Sequence, residues 1–559
     1  MKSAKNKKSN FYRAMEILPG ALTWTTLIGA VVFSYFLPLW VAVFIIAFDL
    51  YWVLKALNHS MHLLSSFSRL RLHRRYDWQA RLESLRNLRD YRNELLRAKE
   101  KARFRRERND LRRELGRLSQ PYLKNRNFDY RRVYHLVLLP TFGESVEVLD
   151  QSIRSVLASG DFGDRIFLVL ATEERDYQTA LKNASILLER YQNKFFRLEA
   201  IMHPDGLPGE ISAKGANITY AARQAARIIS AQGIPIENVL VSAFDSDTVV
   251  SPNYFAYLTY SFLTAKKPYQ TSYQPMPIYN NNIWDAPAIT RVVAVANSFW
   301  QMVEASRPDR LVTFSSHAMT LRALVEVDFW PVDVVSDDSR IFWRCWLHYD
   351  GDYRVQPLFT TVSLDTMLDR TYWKTLVGQY KQKRRWATGV ENFPYLVAGA
   401  VKNKKIPLWK KFLYIERMLE GFYFWATASI MIAALGWLPL FLGGFRFDEQ
   451  VIAVNLPVMT RTIMQIATLF LIFSVYVNLV LLPPRPKKYS RWRSFGMIWQ
   501  WIFVPIVSTV FGSFPAIDAQ TRIMFGKYLG FWVTPKARFS GASQAAAVFG
   551  EKSGSVTNG

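Results

Sequence analysis

The sequence predicts an α/β domain with a largely parallel sheet, combined with α-helical segments that span a membrane. The first observation is that short β-rich runs alternate with helical stretches between residues 134 and 396. The second is that apolar runs long enough to cross a bilayer lie on both sides of that region. The third is that Lys and Arg cluster beside those runs, which is typical of the inner side of a membrane.

The composition limits the class of protein. The chain has 559 residues, 50% of them hydrophobic, and a net charge of +26. This length exceeds one hydrophobic core, and the charge favours an anionic membrane surface or substrate as partner. Nucleic acid is not expected, because no zinc-finger, RRM or helix-turn-helix signature occurs. Cys345 is the only cysteine, which excludes an intramolecular disulfide and fits a reducing, cytoplasmic location.

Changes in composition divide the chain into regions. The composition changes sharply from one stretch to the next. Stretches that are apolar, rich in Arg, or rich in Gly, Ser and Ala are distinct from the stretch in which β-rich and helical runs alternate. The predicted regions are a basic cytoplasmic N-terminus (1–16), a transmembrane helical hairpin (17–57), an Arg-rich amphipathic helical region (58–130), the α/β domain (131–396), an interfacial helix (397–417), C-terminal transmembrane or re-entrant helices (418–530) and a mostly disordered tail (531–559).

The first apolar run is twice as long as one membrane crossing requires. Pro38 lies near its middle and divides it into two helices at 17–36 and 39–57, which we prefer to a cleaved signal peptide. Further spans are predicted at 418–442 and 461–483, with the acidic connection between them outside and the basic 485–493 loop inside. The run 494–515 contains two prolines, and both a spanning and a re-entrant arrangement stay open.

The Arg-rich stretch from 66 to 118 has leucines at helical spacing, so it predicts one or two amphipathic helices. Their apolar faces are expected to pack on the α/β domain. Two alternatives are a lid over anionic lipid headgroups and a self-association element.

Strands are predicted at Val133–Leu139, Ile166–Ala171 and Val239–Phe244, with a ligand site at their carboxyl ends. The third strand runs directly into Asp245-Ser-Asp247. Two acids on alternate residues can direct one carboxylate to a nucleotide and the other to a hard divalent cation such as Mg²⁺ or Mn²⁺. The pattern alone also occurs in solvated turns, but the apolar strand before it favours a site.

A second acidic pair, Asp337-Asp338, follows the apolar run at Val334. Asp338 is the candidate base that takes a proton from an attacking hydroxyl, although an N-cap for the next helix fits the same residues. A third element is Gln382-Lys-Arg-Arg385-Trp386. Its Arg can bind diphosphate oxygens and its Trp can stack on a sugar face, while an interfacial helix is the plainer alternative.

These three elements, in this order, resemble the processive members of glycosyltransferase family 2, which include the cellulose, chitin and hyaluronan synthases. The resemblance implies a GT-A (Rossmann-like) fold and inverting transfer from a metal-bound nucleoside-diphosphate sugar, with UDP expected as the carrier and Mg²⁺ or Mn²⁺ as the cofactor. It assigns Asp245 to the nucleotide, Asp247 to the metal and Asp338 to the base. The diphosphate and acceptor entrance would be lined by Asp337, Gln382, Arg385 and Trp386.

The same resemblance extends to the donor side. Thr141 and Glu144 lie in a segment similar to the family's first nucleotide-binding loop, and Lys214 in one similar to its stretch near the diphosphate. Glu173 stands where the family carries an Asp-Asp pair. The segment Thr313–Arg322 occupies the place of the acceptor-side loop, and its His317 is expected to be a packing residue.

Three functions are compatible with the sequence. The first is processive polysaccharide synthesis with translocation by an integral protein of the cytoplasmic (plasma) membrane, whose catalytic domain faces the cytoplasm. The second is transfer of a single sugar to a lipid or other membrane acceptor. The third is an inactive scaffold on a transferase fold, which the intact Asp247, Asp338 and Arg385 argue against. The sequence does not identify the sugar, the linkage, the acceptor or the oligomeric state.

Overall fold

The computed structural model describes residues 9–124, 126–433, 435–530 and 532–534. The basic residues before Ser9 and nearly all of the predicted tail lie outside these ranges. The strands are β1 (Tyr134–Pro140), β2 (Ile166–Glu173), β3 (Arg197–His203), β4 (Val239–Ala243), β5 (Val249–Val250), β6 (Thr271–Tyr279), β7 (Ala318–Thr320) and β8 (Arg354–Leu364). The helices are α1 (Asn10–Phe36), α2 (Pro38–His73), α3 (Trp78–Ser84), α4 (Leu88–Lys101), α5 (Arg105–Leu118), α6 (Val146–Leu157), α7 (Tyr177–Arg190), α8 (Lys214–Ala231), α9 (Tyr254–Thr264), α10 (Ala288–Ala305), α11 (Leu321–Glu326), α12 (Asp337–His348), α13 (Tyr372–Ala387), α14 (Asn392–Lys402), α15 (Leu408–Ala433), α16 (Leu438–Leu442), α17 (Phe445–Asp448), α18 (Val451–Leu481), α19 (Trp492–Trp499), α20 (Val504–Ser508) and α21 (Phe514–Met524).

All eight strands of the described residues form one sheet in the order β3-β2-β1-β4-β7-β6-β8-β5. Strands β3, β2, β1 and β4 run parallel, whereas β7 is antiparallel to both of its neighbours. Beyond β7, β6 and β8 pair in parallel and the short β5 closes the edge in the antiparallel sense. The predicted α/β class is therefore confirmed as a mixed, GT-A-type sheet, and the three predicted strands are β1, β2 and β4.

Alternate residues of the central strands fill two separate apolar layers. In β1, Leu136 and Leu138 pack with α8, while Val137 and Leu139 pack toward α9 on the opposite face. This alternation follows from the two-residue period of a strand. Because both faces are covered, β1 and β2 are apolar at almost every position, which is typical of buried parallel strands.

Three segments of the described residues are long and apolar enough to cross a membrane: Asn10–Phe36, Pro38–His73 and Trp492–Met524. The first two are the predicted hairpin, and Pro38 stands at the start of the second helix, where its missing N–H costs no hydrogen bond. The second helix does not end at residue 57 but continues to His73, because Leu63, Phe67 and Leu70 pack on the α/β domain.

The C-terminal region departs from its predicted boundaries. Helix α15 passes through the expected limit at 417 and ends at Ala433, so the predicted span 418–442 is interrupted and is not among the three candidate segments. The predicted span 461–483 largely coincides with the second part of α18, which begins earlier, at Val451, and ends at Leu481. In the third segment, Pro505 and Pro515 stand in the first turns of α20 and α21, where proline is tolerated.

The two ends of the described chain meet in space. Helix α1 packs along α21, where Thr23 Oγ1 donates to Gln520 Oε1 at 2.7 Å and Trp24 Nε1 donates to Thr521 Oγ1 at 2.9 Å. Arg13 donates to the carbonyl of Ile523 at 2.8 Å, which places a cation at the C-terminal end of α21. Helix α13 also contacts α21, through an Arg384–Asp518 ion pair at 2.8 Å.

The Arg-rich region forms helices α3 to α5, which pack on the α/β domain as predicted. Leucines of all three helices are buried in the same apolar cluster as β1, β2 and α9. Trp78 stacks on Tyr257 of α9 with ring centroids 3.8 Å apart. The buried Glu114 accepts hydrogen bonds from Tyr91 at 2.7 Å and Tyr260 at 2.5 Å and pairs with Arg81 at 2.5 Å. This buried carboxylate joins α3, α4, α5 and α9.

We expect Glu114→Ala to destabilise the protein strongly, because it leaves Arg81 and two tyrosine hydroxyls buried without their acceptor. Removing one partner of a buried ion pair costs roughly 3 kcal/mol. The matched control is Glu100→Ala, an exposed position on α4 that loses the same charge. The thermal unfolding midpoint in neutral detergent measures the effect, and equal midpoints for the two variants would contradict it.

Candidate active site

The carboxyl ends of β1, β2 and β4 meet at one edge of the sheet and open into a cavity of about 780 Å³. Each strand ends in a polar segment at this edge: Thr141 and Glu144 follow β1, Glu173 ends β2, and Asp245 and Asp247 follow β4. Helices α8 and α12 begin beside this edge and contribute their first residues to the cavity. The arrangement agrees with the rule that ligand sites in α/β folds lie at the carboxyl ends of parallel strands.

Lys214 joins the two predicted acidic motifs. Its Nζ donates to Asp245 Oδ1 at 2.6 Å and to Asp338 Oδ1 at 3.1 Å, although these carboxylates are 93 residues apart in the sequence. Burial alone lowers the pKa of this lysine, but the charges of Asp245 and Asp338 outweigh burial and raise it above its ordinary value. The second oxygen of Asp245 accepts a hydrogen bond from Ser315 at 2.7 Å.

Asp247 is almost completely buried and is oriented by the end of β8. Its Oδ2 accepts the backbone N–H of Asp365 at 2.7 Å. Asn281 connects the same two residues, because its side-chain amide donates to the Asp247 carbonyl and to Asp365 Oδ1, both at 2.9 Å. These contacts fix the direction of the Asp247 carboxylate toward the cavity that it lines.

The loop after β1 is closed by Glu144. Its carboxylate accepts from the backbone N–H of Phe142 at 2.6 Å, from Thr141 Oγ1 at 3.1 Å and from Ser246 Oγ at 2.8 Å. The loop is thereby tied to the acidic turn after β4. Gly143 has a φ of +79°, which a residue with a side chain rarely adopts. Glu173 lies beside this loop, paired with Arg175, and burial raises its pKa.

Asp337 and Asp338 are the first two residues of α12, where the helix dipole stabilises carboxylates. Ser336 is the N-cap by position, but its hydroxyl donates to Glu391 at 2.7 Å and makes no capping bond. Burial and the neighbouring Asp338 raise the pKa of Asp337 to about 8. The starts of α8 and α12 are in close contact, since a Cβ on Gly215 would lie 2.8 Å from the Cβ of Asp337.

Helix α13 provides the third motif. The side chain of Gln382 is buried and accepts from Gln379 at 3.0 Å, while Trp386 packs beside Tyr279 with ring centroids 5.8 Å apart. Arg385 lines the cavity. Its positive charge lowers the pKa of Asp337 and so opposes the effect of burial, which raises it. Lys383 lies over the Trp386 and Trp425 rings, and burial lowers its pKa to about 8.

All eleven residues predicted from the sequence line this one cavity: Thr141, Glu144, Glu173, Lys214, Asp245, Asp247, Asp337, Asp338, Gln382, Arg385 and Trp386. The cavity continues away from the sheet toward α2, α10 and α15, where aromatic side chains line it: Trp52, Trp300, Tyr414, Phe424 and Trp425. The structure thus brings the predicted residues together, and their individual roles stay predictions.

The sequence interpretation missed several residues of the site. Asp365 orients Asp247, and its position directly after an apolar strand is the same signal that identified Asp245. Ser315 lies in the segment already assigned to the acceptor side, but its contact with Asp245 has no sequence signature. His317 is a packing histidine as expected: it is fully buried, bonded to the Phe314 carbonyl at 2.8 Å and to Trp330 at 3.2 Å.

The residues present fit a divalent cation held by few protein ligands. Within the described ranges, no three His, Cys, Asp or Glu side chains are clustered as a metal cage. Mg²⁺ and Mn²⁺ in phosphate-transfer sites are commonly held by one or two carboxylates and by substrate phosphates. Asp247 supplies such a carboxylate, because it is buried, oriented from behind by Asp365 and exposed only to the cavity.

Residues 240–482 match the model of the family described as Glycosyl transferase family group 2. This match identifies residues 240–482 as part of a glycosyltransferase. It begins in β4 and contains Asp245, Asp247, Asp338 and Arg385, whereas the loop after β1 and Lys214 lie before it. No curated protein matches the chain by sequence.

Several solved glycosyltransferases resemble the chain weakly. A mannosyltransferase from Pyrobaculum calidifontis, in complex with GDP-Man and Mn²⁺, is 15% identical with a TM-score of 0.35, covering 72% of this chain and 99% of its own. TarS 1-349 from S. aureus with UDP-GlcNAc is 10% identical with a TM-score of 0.34, covering 71% and 93%. GalNAc-T7 with UDP, GalNAc and Mn²⁺ is 10% identical with a TM-score of 0.28, covering 56% of this chain and 58% of its own. At these scores the likeness carries no argument about substrate.

The raised pKa of Asp337 predicts how nucleotide affinity depends on pH. As the pH rises through about 8, Asp337 ionises and adds a negative charge beside Asp338, so an anionic ligand is repelled. We expect UDP affinity to fall above about pH 8, and Asp337→Asn to remove this fall while changing affinity little at neutral pH. Calorimetric titration of UDP against pH, at constant Mg²⁺, measures both.

The control for this experiment is Asp333→Asn, an exposed position just before α12 that is not part of the cavity. It should retain the wild-type pH profile. An alkaline loss of affinity that persists unchanged in Asp337→Asn would contradict the assignment.

Proposed function

We propose that the chain is an inverting, metal-dependent glycosyltransferase that extends a glycan processively from a nucleoside-diphosphate sugar. The observation that carries the proposal is the single cavity, which joins the acidic groups at the sheet edge to an aromatic-lined extension between helices. We place the protein in the cytoplasmic membrane with the sheet edge on the cytoplasmic side, since basic segments flank its apolar helices.

The donor side of the cavity suits a nucleoside diphosphate. Asp245 is held at the end of β4 where it can accept from a nucleotide, and Thr141, Glu144 and Glu173 form the neighbouring wall. Arg385 and Lys214 supply positive charge for the phosphates, and arginine can bind two phosphate oxygens at once. We propose UDP as the first nucleotide to test.

Mg²⁺ or Mn²⁺, held by Asp247 and the donor diphosphate, would neutralise the charge that develops on the leaving group. The chain itself fixes the Asp247 carboxylate through the backbone N–H of Asp365. The burial of Asp247 limits the access of other ligands to this carboxylate.

Transfer requires one proton movement and one displacement. Asp338 takes the proton of the acceptor hydroxyl, whose oxygen then forms a bond to the anomeric carbon. The bond between that carbon and the diphosphate oxygen breaks on the opposite face, so the configuration inverts. Arg385 stabilises the departing diphosphate. The Nζ of Lys214 lies 3.1 Å from Asp338 Oδ1 and also contacts Asp245. It thereby holds the base at a fixed position relative to the donor-side Asp245.

The acceptor side supports a glycan. Trp300, Trp425 and Trp386 offer flat apolar faces on which sugar rings can stack. Between them lie polar pairs that can bind hydroxyl groups, such as Lys55 with Glu420 at 3.0 Å. An extended polar and aromatic cavity that reaches α2, a candidate membrane-spanning helix, has room for more than one sugar unit.

A single transfer to a membrane lipid is the second candidate. It is favoured by the same opening of the cavity toward α2, because a lipid acceptor could enter from that side. Product length separates the two candidates, since only a processive enzyme makes long polymer.

The decisive experiment is sugar transfer by the purified protein in nanodiscs. It uses a panel of radiolabelled UDP- and GDP-sugars with Mg²⁺ or Mn²⁺, and the products are sized on a gel. We expect high-molecular-weight product, and we expect Asp338→Asn to reduce turnover by roughly 10²–10⁴-fold while UDP binding is retained. The reason is that Asn can keep the contact with Lys214 but cannot take the proton.

Asp333→Asn is the matched control and should transfer sugar normally, because this exposed carboxylate lies outside the cavity. A single-sugar lipid product would replace the processive proposal by the second candidate. Near-normal turnover in Asp338→Asn would refute the base assignment, and the absence of both transfer and UDP binding would favour the scaffold alternative.

The aromatic extension makes a separate prediction about product length. Trp300→Ala should shorten the polymer more than it slows the first transfer, because Trp300 lines the cavity from α10, a helix that carries none of the predicted donor-binding or catalytic residues. Trp373→Ala is the control, since Trp373 is exposed on α13 and lies outside the cavity. Comparing product ladders at equal donor consumption gives the result, and identical ladders would argue against glycan binding in the extension.

A further inference from the structure

A second cavity, of about 300 Å³, lies in the described part of the chain and shares no lining residue with the catalytic cavity. Most of its walls come from four places that are distant in the sequence: the end of α2, helix α5, α9 with the residues that follow it, and the first half of β8. Trp78, Tyr122 and Pro308 complete the lining. Its volume is at the lower end of the range for small-molecule sites.

The walls of this cavity are strongly basic. Five cationic side chains line it, and they come from all four walls: Arg69, Arg113, Arg117, Lys266 and Arg354. Two carboxylates and one histidine accompany them. Both carboxylates are already engaged, because Asp110 accepts from His73 and Tyr76 and Glu114 accepts from Arg81, Tyr91 and Tyr260.

Most of these cations have no carboxylate partner among the described residues. Arg354 pairs with Asp352 at 3.4 Å, but no ion pair within the described ranges involves Arg69, Arg113, Arg117 or Lys266. The Nε of Arg69 is buried without a hydrogen-bond acceptor in the same part of the chain. The Arg69 guanidinium stacks on the ring of Phe359 at 4.1 Å, so it is held in place by packing.

The positive charges also repel one another. Arg113 and Arg117 are one helical turn apart on α5, a spacing at which like charges destabilise a helix. Both act electrostatically on Arg69, and Asp110 offsets this repulsion only in part. A cavity that gathers such charges is suited to an anion that relieves the repulsion.

We propose that this second cavity binds a phosphate-bearing ligand. A single carboxylate would need fewer cations, whereas a phosphate group presents several oxygens that arginine side chains can bind together. Helix α2, whose end forms one wall, is a candidate membrane-spanning helix, so an anionic lipid headgroup and a soluble phosphate compound can both reach the site. Both sources share the same chemistry.

The test is a thermal unfolding titration of the purified full-length chain in neutral detergent. One arm adds short-chain phosphatidylglycerol, with phosphatidylcholine as the uncharged comparison. The other arm adds inorganic phosphate, with sodium chloride at equal ionic strength as the comparison. We expect saturable stabilisation in at least one arm, because a ligand that binds only the folded state raises the unfolding midpoint. The readout does not depend on sugar transfer, so it is independent of the proposed function.

The test variant is Arg113→Gln with Arg117→Gln, for which the half-saturating concentration should rise by roughly tenfold or more. The matched control is Arg105→Gln with Arg112→Gln, which removes the same charge from exposed positions of α5 outside the cavity. Lys266→Gln, on a separate element at the cavity rim, tests the site again if the double variant does not fold.

A response to phosphatidylglycerol alone would support the proposal with a lipid headgroup as ligand. A response to inorganic phosphate, alone or as well, would support it with a soluble phosphate compound. The proposal is overturned if neither arm saturates, if the folded test variants respond like the wild type, or if the control pair loses the response equally.

Discussion

The site depends on one largely buried cation, because Lys214 holds together two carboxylates that the fold supplies from opposite sides. Asp245 comes from the end of β4, and Asp338 comes from the start of α12. Without a positive charge between them, these two acids would repel each other. The close approach of α8 to α12 at Gly215 keeps the lysine between them. The end of β4 and the start of α12 are therefore joined by electrostatics as well as by packing.

Around this centre, the cavity has a polar part and an aromatic part. The carboxylates are fixed from behind by backbone N–H groups and amides, such as the Asp365 N–H and the Asn281 side chain. The aromatic extension is built from side chains of α2, α10 and α15. Fixed carboxylates beside an aromatic wall suit the sugar transfer that we propose.

The sequence predicted the parts of the site that arise locally. An apolar strand followed by Asp245-Ser-Asp247 and a helix that begins with Asp337-Asp338 can each be recognised from a few consecutive residues. The bond from Lys214 to both motifs could not be recognised in this way, because it depends on how α8 and α12 meet. The second cavity could not be predicted from the sequence for the same reason, since most of its walls come from four distant segments. The predicted end of α2 was wrong because burial of Leu63, Phe67 and Leu70 against the α/β domain prolongs that helix beyond its membrane length. Helix α15 crosses the boundary predicted at 417, where Tyr414, Ile415 and Met418 pack with the α/β domain.

The pairing of α1 with α21 also concerns how the protein is made. Helix α1 leaves the ribosome before α21, and the groups that Thr23, Trp24 and Arg13 bind on α21 are synthesised about 500 residues later. During that interval a helix with polar side chains must wait without its partner, and contacts between distant residues form slowly. The α/β domain, which precedes α21 in the sequence, can fold in the meantime. Assembly would then end by docking α21 between α1 and α13, to which Arg384 and Asp518 connect it.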